Sequence, residues 1–423
     1  MSSKNELAVR IRLHEGINVK ALVRSPNDYS IEVHETLEAA KEDWRRLEQE
    51  GECLAFQTYF WIKSWHELIG VKLGVSPRVV VLRTTDGEAA MVIPLGIRRR
   101  RSLRYLSFLA HDISDYQGPL MAKGVGERLA GDFATLWSKV LERLPPVDLI
   151  DFRRMPEVMG NAPNPFVRLA GARQTERAHS ASLPSKFEEF LKHPKRKRIH
   201  SDVPRKLRRL GEIGEVAFET VEDERKVEKV VEVMAYQKGP NYVQALGFNL
   251  FERKPEFKTF YARIGAMRSE QFRGHASTMA VGGVVVSTHV GMIFRDRFYM
   301  ILPSYAGGEW YRYSPGVLLT EYLIKTAIDS GCTVYDMTVG DEAFKKDWMD
   351  TVLHLYALTV PLSLKAGMHQ RVANAKSKLR ENLKNICWIR CRVISIRDRL
   401  RRKKLIRAVA TAKAVTTKID QII

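Results

Sequence analysis

The sequence contains little cysteine, and its cysteines show no recognisable spacing. Four of its 423 residues are cysteines, Cys53, Cys332, Cys387 and Cys391, and no two form a CxxC pair. Such usage excludes a disulfide-stapled secreted scaffold and argues against a zinc ribbon. Cys387 and Cys391 fall one helical turn apart, but two thiols without a nearby histidine do not make a metal site. We therefore expect reduced thiols, no metal cofactor and a cytoplasmic protein.

Long apolar runs are also missing. No segment approaches the roughly 20 apolar residues that a membrane-spanning helix needs, and the first residues lack the apolar core of a secretory signal. The hydrophobic content of 45% is ordinary for a globular protein. The length of 423 residues exceeds that of one average domain. These features predict a soluble chain with two domains.

The net charge of +20 is concentrated at one end of the chain. Residues 365–423 contain 17 lysines and arginines against 3 acidic residues, which gives +14, whereas residues 1–364 carry the remaining +6. Aliphatic residues recur at steps of three and four from Val372 to Leu400, so this basic tail is predicted to be helical.

Two interpretations of the tail stay open. An aliphatic stripe beside an Arg/Lys face, with Trp388 near its middle, is typical of a helix lying on an anionic membrane surface. The same stripe is typical of a helix that packs on the second domain or on another subunit. Nucleic acid is a less favoured partner, since an aliphatic stripe has no function on a phosphate backbone.

The rest of the chain is predicted to form two similarly built halves. Residues 1–154 indicate helix, strands, helix and strand, and residues 176–364 repeat that order. The intervening residues 155–175 are rich in Pro, Gly and Asn, which is typical of a linker. Each half contains a hairpin signal, Asp86-Gly87 and Gly282-Gly283. A basic helix is expected from Lys192 to Gly211, with Pro204 interrupting it.

The most informative stretch lies between Ser304 and Trp348. A strand over Arg297–Leu302 is followed by Ser314-Pro315-Gly316 and by helical spacing up to Gly331. Ser314 is a suitable N-cap, Pro315 suits the first helical position, and Gly316 leaves the backbone amides uncovered. A helix start with bare amides favours an anion. The following strand, Val334–Val339, and a short helix opened by Gly340-Asp341 complete a predicted site for a nucleotide-like ligand.

Several of these residues, in this order, resemble the GNAT-type acetyltransferases of the CelD/BioF2-like family. The matching residues are Tyr313-Ser314-Pro315-Gly316, Asp336, Gly340-Asp341-Glu342, Lys345 and Trp348, supported by Phe56, Trp61, Trp65, Asp115-Tyr116 and residues 207–212. The resemblance spans residues 35–362 and excludes the tail. It implies an α/β (α+β) fold of two tandem GNAT-like domains, each a mixed sheet flanked by helices, laid out like the Fem-type aminoacyl transferases. It also implies acetyl-CoA or another acyl-CoA as donor, with the second domain active.

The resemblance suggests how CoA would be held. Its pyrophosphate would lie on the amides of Ser314, Pro315, Gly316 and Val317, a segment in which proline contributes no N–H. Arg312 would add positive charge, and Lys345 would bind a phosphate or carboxylate. The glycine-rich pyrophosphate signature usual in GNAT proteins is absent from this sequence.

Acyl transfer from a thioester also requires a base and an acid. Asp336 is a candidate base because it is a lone acid on an apolar strand, although pairing with a core arginine would explain it equally well. His289 is a second candidate, with a satisfied core histidine as the alternative. Asp341 is a catalytic candidate for which helix capping is the favoured interpretation. Phe344 stands where the family has a tyrosine, so the acid would be Tyr305, Tyr313 or water.

The predicted function is acyl transfer from acyl-CoA to an amine or hydroxyl acceptor. By family analogy the acceptor is a small molecule or a glycan precursor used in envelope or exopolysaccharide synthesis. Two alternatives remain: Fem-like transfer from aminoacyl-tRNA, and a non-catalytic GNAT scaffold bound to membrane or nucleic acid through the tail.

Overall fold

The computed structural model describes residues 29–129, 131–342, 344–372 and 375. The chain divides into two compact units, Met1–Val360 and Pro361–Ile423, and the strands and helices named below belong to the first, apart from the last residue of β15. The strands are β1 (Tyr29–His34), β2 (Val75–Thr84), β3 (Ala89–Arg100), β4 (Leu103–Phe108), β5 (Leu120–Met121), β6 (Leu149–Pro156), β7 (Val158–Met159), β8 (Ala162–Pro163), β9 (Arg173–Ser182), β10 (Val216–Val221), β11 (Phe272–Val281), β12 (Val284–Phe294), β13 (Arg297–Tyr305), β14 (Val334–Val339) and β15 (Thr351–Pro361). The helices are α1 (Lys41–Glu50), α2 (Tyr59–Trp65), α3 (Val125–Arg128), α4 (Phe133–Arg143), α5 (Phe187–Phe190), α6 (Pro194–Gly211), α7 (Glu224–Leu246), α8 (Leu250–Arg253), α9 (Glu256–Ala266), α10 (Pro315–Asp329) and α11 (Lys345–Trp348).

One mixed sheet runs through the whole first unit. Its order is β1-β2-β3-β4-β6-β15-β9-β14-β13-β12-β11-β10, with β5 paired to β3, while β7 and β8 form a separate hairpin. Most neighbouring strands are antiparallel, but β4 with β6 and β13 with β14 are parallel. A mixed sheet flanked by helices confirms the predicted α/β class.

Both predicted hairpins are present. Gly87 adopts φ +85°, and Gly282 and Gly283 adopt φ +55° and +82°, in the region that residues with a side chain rarely enter. These turns join β2 to β3 and β11 to β12, and the paired strands bury continuous apolar faces.

Three apolar clusters hold the sheet and the helices together. One lies mainly in the first half, around Phe108 and Phe152, and another lies under α10, around Leu323. The third combines both halves: the Trp61 ring meets Phe260 edge to face at 5.0 Å, and Phe56 meets Tyr299 at 5.6 Å. The residues before and after the predicted linker therefore share one core.

The interruption predicted at Pro204 is wrong, because α6 is continuous from Pro194 to Gly211. Its first turn is anchored by the buried Arg196, whose guanidinium lies 3.9 Å from the Phe190 ring centroid and bonds to the Trp348 carbonyl at 2.9 Å. The buried side chains of Val203 and Leu210 anchor the remainder. These contacts outweigh the roughly 3 kcal/mol that an internal proline costs a helix.

Two other expectations stay predictions. Residues 155–175 contain the end of β6, the β7–β8 hairpin, a 3-10 turn over Pro165–Arg168 and the start of β9, and the division into two domains remains open. Most of the basic tail predicted for residues 365–423 lies outside the described residues. Within the part of the chain that is described, no helix is both long and apolar enough to cross a membrane.

Candidate functional site

The parallel strands β13 and β14 separate part-way along their length. They pair over only three positions, from Arg297 opposite Val334 to Tyr299 opposite Asp336, although β13 continues to Tyr305. Beyond this point β14 also changes its register against β9, and Thr338 adopts a left-handed φ of +56°. The ends of β13 and β14 that no longer pair with each other border a gap, called the split below, which runs towards the start of α10.

The start of α10 differs from the predicted capped helix. Ser314 is left-handed, with φ +53° and ψ +54°, and its hydroxyl makes no capping hydrogen bond, so the predicted side-chain cap is wrong. Its carbonyl instead accepts the amides of Val317 (2.9 Å) and Leu318 (3.3 Å), and its own amide donates to Tyr311. Pro315 has no N–H, and within this described turn the Gly316 amide donates to no backbone acceptor. The predicted anion site of four residues thus reduces to one free amide.

Tyr305 and Gly316 meet at this helix start. A Cβ atom added to Gly316 would lie 3.1 Å from Cδ1 of Tyr305, so the ring covers the glycine. Tyr305 is 42% exposed. Arg312 is exposed nearby, with its guanidinium 4.9 Å from the Tyr313 ring centroid. The structure therefore brings together Tyr305 and Gly316, with Arg312 four residues before the glycine in the chain.

Asp336 lies in a fixed hydrogen-bond network. It is 1% exposed, and its Oδ1 accepts from the Tyr116 hydroxyl and the Thr338 amide, each at 2.7 Å. Its Oδ2 accepts from Arg297 Nη1 at 3.0 Å. Burial and then the Asp336 charge raise the pKa of Tyr116 well above its usual range, which keeps this phenol a donor. The geometry favours a structural role for Asp336, paired with a core arginine, over the role of catalytic base.

His289 is fully buried on β12. Among the described residues neither ring nitrogen has a hydrogen-bond partner, and the ring stacks on Phe298 with centroids 5.6 Å apart. Burial lowers the pKa of His289 well below its usual range, helped by the neighbouring His275. A neutral ring packed on a core phenylalanine is in no position to accept a proton from a substrate.

Asp341 and Lys345 are tied to other parts of the chain. The favoured interpretation of Asp341 as a helix cap is wrong, because α11 begins at Lys345 with Phe344 in the N-cap position. Asp341 contacts His179 Nε2 at 2.8 Å and Arg177 Nε at 3.3 Å, and the hydrogen bond to His179 lowers its pKa. Lys345 is 4% exposed and donates to the Val339 carbonyl at 2.8 Å. Its ammonium therefore secures the end of β14.

The sequence reasoning missed Asp115 as a site residue. Its carboxylate pairs with Arg154 Nη1 at 3.0 Å, and its side chain is 17% exposed. Burial raises the pKa of Asp115, although Arg154, the Thr338 side chain and Lys345 act against that shift. Residues of the first half thus supply an acid at the β14 side of the split. The only sequence signal was the Asp115-Tyr116 pair within a turn-like segment.

The charge of Asp115 acts on two tyrosines of the helices. Burial, followed by the charge of Asp115, raises the pKa of Tyr242 on α7 and of Tyr261 on α9. Asp115 therefore interacts electrostatically with residues that are distant in sequence. Among the described residues, no group of three or more His, Cys, Asp or Glu side chains is arranged to hold a metal ion.

Comparison with known proteins identifies the domain that contains the split. Residues 196–346 match the family model of the acetyltransferase (GNAT) domain. Among solved structures, FemX is similar over 78% of this chain and 97% of its own, with 13% identity and a TM-score of 0.52. Residues 196–346 are thus similar to an acetyltransferase (GNAT) domain, and the likeness to FemX shows the fold.

Two further solved structures are similar at lower scores. The C-terminal DUF2156 domain of a putative lysylphosphatidylglycerol synthetase from Agrobacterium fabrum is 14% identical, covering 80% of this chain and 97% of that one, with a TM-score of 0.46. A tandem GNAT protein from the clavulanic acid biosynthesis pathway is 11% identical, covering 79% and 99%, with a TM-score of 0.42. Comparison with curated protein sequences finds no match. The CelD/BioF2-like subfamily stays a prediction.

Proposed function

We propose that this protein transfers an acetyl or longer acyl group from acyl-CoA to an amine or hydroxyl acceptor. The observation that carries the proposal is the split between β13 and β14 beside the start of α10, within a GNAT domain. Unpaired strand edges offer N–H and C=O groups to the amides of a pantetheine arm, as an added strand would. The free Gly316 amide and the exposed Arg312 would receive the pyrophosphate.

Asp115 is the base in this proposal. A carboxylate with a raised pKa accepts a proton more readily at neutral pH than an ordinary aspartate. It would take the proton from the acceptor while the nitrogen or oxygen forms a bond to the thioester carbonyl carbon. The C–S bond then breaks and the CoA thiolate leaves with a proton. In this proposal Tyr242, which burial and Asp115 keep protonated, donates it.

Replacing Asp115 with Asn tests the assignment. The variant should lower kcat for acetyl transfer by about a hundredfold or more, as expected for loss of a general base, with little change in affinity for acetyl-CoA. Calorimetry measures the affinity, and release of free CoA thiol in the presence of amine acceptors measures turnover. Glu176→Gln is the matched control, since Glu176 also pairs with Arg154 at 3.0 Å but is 41% exposed. Equal turnover in Asp115→Asn and in that control would exclude Asp115 as the base.

The same measurements separate the rival functions. The likeness to FemX supports a Fem-type alternative, in which aminoacyl-tRNA replaces acyl-CoA as donor. That alternative requires transfer from aminoacyl-tRNA and none from acetyl-CoA. A non-catalytic scaffold requires neither. Detection of CoA by mass spectrometry in the purified protein favours acyl-CoA as the donor.

The acceptor and the tail complete the proposal. A small molecule or a glycan precursor is the acceptor class favoured by the family resemblance. The charge of +14 on residues 365–423 supports attachment of a cytoplasmic protein to an anionic membrane surface, with nucleic acid less favoured. Cosedimentation of the full chain with anionic vesicles tests that attachment.

A further inference from the structure

Lys238 on α7 is a half-buried lysine without a direct partner. Its ammonium forms no hydrogen bond or ion pair with any described residue, and Glu342 acts on it only at longer range. Lysines removed from solvent are normally paired, because an unpaired charge loses its hydration without compensation. Burial accordingly lowers the pKa of Lys238 to about 8. Lys238 therefore carries a partly desolvated charge that no described contact neutralises.

The neighbouring Gln237 anchors the turn of α7 that contains Lys238 beside the split between β13 and β14. Its Oε1 accepts from Ser304 Oγ at 2.8 Å, and its Nε2 donates to the Val285 carbonyl at 3.1 Å. Ser304 lies on the half of β13 that no longer pairs with β14, while Glu342 follows β14. Lys238 itself interacts electrostatically with Glu342 and with His289 of β12, which pairs with Pro303 on the separated half of β13, so the lysine lies near the split.

Lys238 is also on the side of the split that carries the candidate base. Tyr242 follows Lys238 by one helical turn, so the two side chains share a face of α7. The charge of Asp115 raises the pKa of Tyr242, so that carboxylate acts electrostatically on the same part of α7. Arg312 and Gly316, the proposed contacts for the CoA pyrophosphate, belong instead to the start of α10.

We propose that Lys238 binds an anionic group of the acceptor, a carboxylate or a phosphate, and so selects anionic amines or alcohols as substrates. This inference rests on the proposed acyltransferase function. An incoming anion would supply the missing counter-charge and a charge-assisted hydrogen bond in a site of reduced solvation. It would also hold the acceptor nitrogen or oxygen at a fixed position relative to Asp115.

Matched pairs of acceptors test the proposal. Glucosamine 6-phosphate is compared with glucosamine, and alanine with alaninamide, using acetyl-CoA as donor. The wild type should prefer the anionic member of at least one pair. Lys238→Met should lower the ratio of kcat/KM for anionic over neutral acceptor by roughly tenfold or more, the value of a hydrogen bond to a charged group. Lys238→Arg should retain the preference, and Lys229→Met, which removes an exposed lysine of the same helix, should leave it unchanged.

The pH dependence provides a readout that a purely structural lysine would not give. Since Lys238 loses its proton near pH 8, KM for the preferred anionic acceptor should rise above that pH in the wild type. In Lys238→Arg the charge persists, so KM should stay level over the same range. A preference for neutral acceptors, or an unchanged ratio in Lys238→Met, overturns the proposal.

Two outcomes distinguish this inference from the proposed function. If Lys238→Met weakens acetyl-CoA rather than the acceptor, the lysine serves the donor and the inference is wrong. If the wild type neither binds acetyl-CoA nor transfers acetyl groups, the proposed function fails. Calorimetry with glucosamine 6-phosphate and alanine then still tests whether Lys238 binds anions. The proposal is overturned if neither compound binds, or if Lys238→Met leaves the affinity for both unchanged.

Discussion

Asp336 illustrates how a single carboxylate is assigned by its partners. Replacing it with Asn keeps its shape but removes the charge that balances Arg297, 3.0 Å away. Breaking a buried ion pair on one side leaves an uncompensated charge, so Asp336→Asn should lower the free energy of unfolding by roughly 3 kcal/mol. Equilibrium urea denaturation measures this loss. Turnover per folded molecule should change far less than in Asp115→Asn.

A matched double variant separates structure from catalysis at this position. Arg297→Met combined with Asp336→Asn removes both charges, keeps an oxygen that can accept from Tyr116 and Thr338, and should recover part of the lost stability, because neither charge is then left alone. A stable Asp336→Asn protein without turnover would contradict this account and return Asp336 to the role of base.

The sequence left Asp336 ambiguous for a physical reason. Its partner Arg297 is 39 residues away and its partner Tyr116 is 220 residues away, so no local spacing links them. The same holds for Asp115, whose site neighbours Tyr242 and Tyr261 lie on helices of the other half. The local pattern identified Asp336 as an acid on an apolar strand. Which charged residue pairs with it depends on the order of the strands in the sheet.

Among the elements, the start of α10 has the most direct bearing on function. Gly316→Leu should weaken acetyl-CoA binding about tenfold or more, because a side chain there obstructs approach to the single free amide. The covering Tyr305 ring complicates the result, since it lies 3.1 Å from the position of the added Cβ. Calorimetric affinity in a variant with wild-type circular dichroism is the measurement.

The double variant Tyr305→Ala with Gly316→Leu serves as the control for ring displacement. If obstruction of the amide weakens binding, the double variant should bind as poorly as Gly316→Leu. Recovery of wild-type affinity in the double variant would mean that the displaced ring, and not the amide, caused the loss.

Elements with strong local signals were predicted well. The bounds of β14 match the prediction, and the hairpins at Asp86-Gly87 and Gly282-Gly283 form because glycine permits the required backbone. Ser314 was misjudged because its backbone is left-handed, with φ +53°, and its hydroxyl makes no capping bond within the described turn. Pro204 was misjudged because α6 tolerates its proline through buried side chains.

In the whole molecule, the two halves are joined by one sheet. Strands β9 and β15 lie between β6 of the first half and β14 of the second. This order joins strands that are far apart in the sequence, so local sequence patterns do not predict it. Further bonds cross between the halves: Arg295 donates to the Glu48 and Gly51 carbonyls, each at 2.8 Å, and Tyr116 donates to Asp336. The candidate base and the GNAT domain therefore come from different halves.

This arrangement predicts that the second half does not fold alone. A fragment of residues 176–364 would expose the edge of β15 that pairs with β6, and the apolar faces of Phe260 and Tyr299 that contact the first half. An exposed edge strand with bare apolar surface is an aggregation site, so the fragment should be insoluble or lack a cooperative thermal transition. A fragment of residues 29–361, which keeps the entire sheet, should be soluble and unfold in a single transition. Light scattering, circular dichroism and acetyl-CoA calorimetry on both fragments make the comparison. A soluble 176–364 fragment that binds acetyl-CoA would show that the two predicted domains are independent, and that Asp115 is not needed to complete the donor site.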